Sequence, residues 1–133
     1  RNNPPPFTIG RLPNEEVQEL YIHPRVKLGS TLAKNGFDDL QTERICANLT
    51  LECASRSTTG KLPKEIDSIA LSQDGSTIKI NANYLSYTTK TTTAQMQAPL
   101  QILQVASNTQ ENNTANYINQ QAMRQQHGLS LSM

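Results

Sequence analysis

A chain of 133 residues with a net charge of +1 has the size of one folding unit, and its charge is too balanced to draw nucleic acid, an anionic membrane or an acidic substrate from a distance. Leu, Ile, Val and Phe supply only 28 residues and Trp none, so a thin core is expected, with burial between copies of the chain completing it. No stretch is long and apolar enough for a membrane span, which excludes that class and leaves a soluble chain rich in Asn, Gln and Thr.

In chain order, residues 1–12 read as an extended arm. Pro4-Pro5-Pro6 forms no internal hydrogen bonds, and Phe7-Thr8-Ile9 begins a first strand. Because the first residue is Arg1 and not Met, removal of a preceding segment is expected, an export signal included, and the compartment stays open. Residues 13–92 read as mainly antiparallel strands. Pro13 to Leu20 opens either a short helix with acids at its start or a turn into a strand over Glu19–Ile22. Pro24 pushes His23 into extended backbone, so no helix is expected to continue through it. Val26 to Leu40 reads as loop with a short strand, punctuated by Gly29 and Asn35-Gly36.

The clearest strand signal is Arg44 to Cys53, where Ile45, Ala47, Leu49 and Leu51 alternate with Cys46, Asn48, Thr50 and Glu52. Ile66 to Leu71 reads as a further strand, and Asp74-Gly75 as a two-residue hairpin turn. A long return strand is expected from about Ser76 to Tyr87. Ile78, Ile80, Ala82 and Tyr84 then share one face, and Thr77, Lys79, Asn81, Asn83, Leu85 and Tyr87 the other. Residues 93–127 read as two helices. Thr92 with Gln95 has capping-box spacing, Pro99 either kinks the first helix or opens it, and Asn108 with Glu111 starts the second. Gly128 is its expected stop, with His127 beside the negative end of the dipole, and 128–133 form a tail. The expected fold is one α+β domain over 1–133: an antiparallel sheet followed by two C-terminal helices packed on one face, completed by dimerisation.

The chemistry-bearing residues are sparse. Cys46 and Cys53 are seven apart, too far to bridge in a strand or a helix and wrongly spaced for zinc. Buried thiols in a reducing compartment are expected, with a disulfide between subunits the lesser reading. His23 and His127 have no carboxylate spaced for a metal motif, and Thr58-Thr59-Gly60-Lys61 ends like a phosphate loop but has Leu62 where a hydroxyl is needed. The expectation is a building block and not an enzyme, with no metal, no cofactor, no small-molecule substrate and no membrane partner. If the helices cover the face bearing Ile45, Leu49, Ile78 and Ile80, then Arg44, Asn48, Thr50, Lys79, Asn81, Asn83 and Tyr87 line the other. That set is either a solvated sheet face or an RNA-binding one, where amides read base edges, cations hold phosphates and a tyrosine stacks on an unpaired base.

The long alternating stretch from Thr77 to Thr89, running into hydroxyl residues and then helices, resembles the coat proteins of single-stranded RNA bacteriophages, and the resemblance spans Arg44 to Gln126. It implies an interlocked dimer with a continuous sheet, helices laid across the partner, assembly into a shell in the bacterial cytoplasm, and an RNA hairpin on the inner sheet face. It also implies Tyr87 as the stacking ring, with Lys79 and Asn81 beside it. The competing reading is a periplasmic or extracellular assembly component of a secretion system, pilus or phage tail, with protein partners only.

Overall fold

In a computed structural model, residues 12–83, 85–95 and 97–131 are described, with side chains up to residue 125. The expected arm and strand within 1–11, the position of Tyr84 and the side chain of His127 lie outside the described residues. The chain is an α+β mix with a three-stranded antiparallel sheet, but two helices precede the sheet and one follows it.

Helix α1 spans Glu15–Lys34. Asn14 caps it by accepting from the Val17 N–H at 2.9 Å, and Glu15, Glu16 and Lys34 carry the charges each end of the dipole favours. Val17, Leu20, Pro24, Leu28 and Leu32 form its buried stripe. Pro24 therefore sits inside the helix, and the extended backbone expected at His23 does not occur. A proline removes one N–H and crowds the preceding turn, a penalty that burial of its own ring and of the Leu residues around it offsets. The end is a Schellman motif: Phe37 N–H donates to Leu32 O (3.0 Å) and Gly36 N–H to Ala33 O (3.1 Å), with Gly36 at φ 90°.

Helix α2, Asp39–Arg56, replaces the strand expected at 44–53. Asp38 and Gln41 form a reciprocal capping box, Asp38 Oδ1 accepting from Gln41 N–H and Gln41 Oε1 from Asp38 N–H. From Gln41 to Ala54 every residue is buried or half-buried, because α1, α3 and the sheet region pack around this helix, with Glu43 and Glu52 at its outer side pairing with Arg25 and Arg56. Cys46 and Cys53 are both free and buried two turns apart, about 10 Å along the axis, as expected of thiols that do not bridge.

Strands β1 (Ser68–Leu71), β2 (Thr77–Ala82) and β3 (Leu85–Lys90) form a meander in the order β1-β2-β3. The turn between β1 and β2 falls at Asp74-Gly75 as expected, with Gly75 at φ 74°, but it is not a two-residue hairpin: Ser72 N–H donates to Thr77 O and the loop runs through 73–76. The single long return strand is not. It breaks at Asn83, whose φ of 57° lies in the left-handed region, and Ala82 pairs with Leu85. After a 3-10 turn over Thr91–Gln95, helix α3 runs as one continuous 33-residue element, Pro99–Leu131. Pro99 opens it in the first position, one of the two expected alternatives, whereas the second helix start at Asn108 and the stop at Gly128 do not occur.

The first half of α3 packs along α2 through Ile102, Leu103 and Ala106, and then carries a polar seam that grips the ends of the other two helices. Ser107 Oγ accepts from Asn14 N–H (2.9 Å), and Gln110 Oε1 accepts from Asn14 Nδ2 (2.7 Å). Gln110 Nε2 donates to Gly60 O (3.0 Å), and Asn113 Nδ2 donates to Ala54 O and Ser57 O at the end of α2. These amides satisfy backbone groups that helix ends leave unpaired. Beyond Thr114 the helix runs outward, with Ile118 and Met123 exposed.

Candidate nucleic-acid interface

The strand registers divide the sheet into two faces. Ile69, Ile80 and Tyr87 share one cross-strand row, and Leu71, Ile78 and Thr89 the next, all turned toward the helices. The opposite face carries Ser68–Asn81–Ser86, Ala70–Lys79–Thr88 and Thr77–Lys90, eight residues that no helix covers among the described residues. On this open face Asn81 Nδ2 donates to Ser68 Oγ (2.9 Å) and Ser86 Oγ donates to Asn81 Oδ1 (2.7 Å), so one row is a hydrogen-bonded chain across all three strands. Lys79 and Lys90 are diagonal neighbours on adjacent strands, about 7–8 Å apart at the backbone, and both are exposed. No carboxylate stands among the eight.

The nearest acids sit at the two ends of the sheet, each already engaged. Asp67 accepts from Asn83 N–H at 2.8 Å. Asp74 accepts from the hydroxyls of Ser72 and Ser76 and from Ser76 N–H, and these bonds hold its carboxyl down to about 2, so it is ionised at neutral pH.

Of the seven residues expected to line an RNA face, only Lys79 and Asn81 stand on the open side of the sheet, with exposed Asn83 at its edge. Arg44, Asn48 and Thr50 belong to α2. Arg44 is half-buried and donates to Ala94 O (3.3 Å), Asn48 Nδ2 donates to Thr89 Oγ1 (3.4 Å), and Thr50 Oγ1 donates back to Cys46 O (3.0 Å). Tyr87 is turned inward, 6% exposed, its hydroxyl donating to Leu49 O at 2.8 Å and its ring 5.4 Å from the Arg56 guanidinium. Burial pushes its pKa up. The reason is parity. In one unbroken strand Tyr87 shares a face with Lys79, but the turn at Asn83 reverses the chain so that Tyr87 pairs with Ile80 instead. The same turn brings Lys90, Ser86 and Thr88 to the open face. The positive φ tolerated by Asn is the signal in the sequence that marks this turn.

Among the described residues no group of His, Cys, Asp and Glu is placed to hold a metal ion, and no helix is long and apolar enough to cross a membrane. Burial raises the thiol of Cys46 to about 12 and that of Cys53 to about 11, which keeps both in the unreactive protonated form at neutral pH. No family model matches the chain, and comparisons with curated proteins and with solved structures give no match.

Proposed function

We propose that the chain is a structural, self-assembling subunit that contacts RNA through the open face of its sheet, as a virion coat component does. The observation that carries this reading is the open face itself: two unburied lysines set among hydroxyl groups with no acid beside them, on a rigid three-stranded platform. Neither Lys79 nor Lys90 makes an ion pair among the described residues, so both ammonium groups are available to phosphate. Dimerisation supplies burial for the outer half of α3, where Ile118 and Met123 are 59% and 68% exposed.

Expression of the chain in bacteria, followed by electron microscopy and extraction of nucleic acid from purified particles, tests this. Uniform particles containing RNA are the expected outcome, and a monomer that carries no RNA refutes it. A second reading, an assembly component with protein partners only, is favoured by the apolar groove between α1 and α3, where Leu12, Ile22 and Leu100 are exposed around Tyr21 and Leu103. Particles or filaments free of RNA support that reading.

A further inference from the structure

Resting on the RNA-contact reading above, we propose that the open sheet face grips the sugar-phosphate backbone without reading bases. Each subunit holds about two phosphates on Lys79 and Lys90, and useful affinity arises from many copies acting together.

Three features carry this. Base recognition on a sheet needs a ring to stack on, and among the described residues the open face has none, because Tyr87 is locked inward by its bond to Leu49 O. Base-edge reading by an amide needs its oxygen and nitrogen presented together, yet Asn81 donates an N–H to Ser68 and accepts from Ser86 on its oxygen, so both ends of the amide are already held in the cross-strand chain. What the face does offer is two lysines. Ammonium groups on flexible stems act as point charges that follow phosphate without demanding a fixed geometry, whereas planar bidentate recognition would call for arginine. The hydroxyls of Ser68, which only accepts from Asn81, and of exposed Thr88 beside them can donate to phosphate oxygens.

The magnitude follows from counterion release. Two phosphates neutralised on a single strand give a slope of log K against log salt of about −1.4 per bound subunit, and one gives about −0.7. Contact with so few phosphates is weak for one subunit, but linking two such contacts raises avidity by roughly 10²–10⁴-fold. Such a face also has no means of telling RNA from DNA, because it does not depend on the 2′-hydroxyl.

The test is fluorescence anisotropy with the full chain and four labelled probes, U12, A12, dT12 and a mixed-sequence RNA hairpin, at 25–200 mM KCl. The expected result is affinities within about threefold across the probes, and a slope near −1.4 that falls to about −0.7 in Lys79→Gln and in Lys90→Gln. Loss of binding is expected in the double variant, and an Asn81→Ala variant is expected to bind within about twofold of the parent. These lysines are exposed, and circular dichroism confirms that the variants fold. A preference above tenfold for the hairpin, an unchanged slope in both lysine variants, or a loss in Tyr84→Ala as large as in the double variant would each overturn the phosphate-grip proposal while leaving RNA contact standing. No binding of any probe by the parent at 25 mM KCl overturns both.

Discussion

Gly60 is where the chain between α2 and β1 passes against α3, and replacing it with alanine gives the sharpest test of that packing. At φ +81° the backbone is in the left-handed region, which costs an alanine about 1 kcal/mol. A Cβ would also lie 2.7 Å from Thr114 N and 2.8 Å from Thr114 Cα, and would run into Thr114 Oγ1. Overpacking of this kind adds about 1–3 kcal/mol, and displacing α3 also strains the bond from Gln110 to Gly60 O. The expected loss for Gly60→Ala is therefore about 2–4 kcal/mol, or a fall in melting temperature of roughly 8–15 °C for a chain of this length. Urea unfolding of the parent, Gly60→Ala, Thr114→Ala and the double variant measures it. Because two of the three close approaches are to Thr114 backbone, Thr114→Ala is expected to restore only part of the loss. A destabilisation below about 0.5 kcal/mol, or full rescue in the double variant, would refute the close approach of α3 at this turn.

Gln110→Leu keeps the volume but takes the donor from Gly60 O and an acceptor from Asn14 Nδ2, and is expected to cost about 1–3 kcal/mol by the same urea assay. Tyr87→Phe removes the bond to Leu49 O and the hydroxyl's interaction with the Cys53 thiol and should cost about 1 kcal/mol, whereas Tyr87→Ala empties a core position and should cost about 3–5 kcal/mol. RNA affinity unchanged in Tyr87→Phe would agree with the inward placement of the ring. The thiols give a pH dependence. Their folded pKa values, about 12 and 11, lie above the unfolded value near 8.5, so the folded state holds its protons longer. That contribution is complete below the unfolded pKa and is lost as pH rises toward 11–12. The urea midpoint is expected to drop between pH 8 and pH 10.5, and to drop less in a Cys46→Ala/Cys53→Ala variant; an equal drop in both would show that the thiols do not contribute.

The mixed α and β character, the strand near Ile66–Leu71, the Asp74-Gly75 turn and the helix opening at Pro99 were legible from local chemistry, because each depends on residues within a few positions of one another. The α2 helix was not. An amphipathic pattern arises only when one side of an element meets water, and Ile45 through Thr50 are six consecutive buried residues, so the alternation there reflects no sheet face. Its capping box, Asp38 with Gln41, was the legible cue, and so was the Asn35-Gly36 pair that ends α1. Pro24 misleads for a related reason: the rule against proline in a helix interior is a local penalty, and tertiary burial outweighs it here. For the candidate site, Lys79 and Asn81 were legible because they precede the break at Asn83. Everything after that break changed face, which removed Tyr87 from the site and brought in Lys90. The amide-rich composition is partly spent within the chain, since Gln110 and Asn113 hold helix ends together.

The enclosure of α2 shapes how this molecule can change. Where six residues in a row, Ile45 to Thr50, are all buried, few substitutions escape their neighbours, so sequence drift is expected to gather in the outer half of α3 and on the lysine-bearing side of the sheet. New partners can be acquired there one side chain at a time, with the scaffold beneath left as it is.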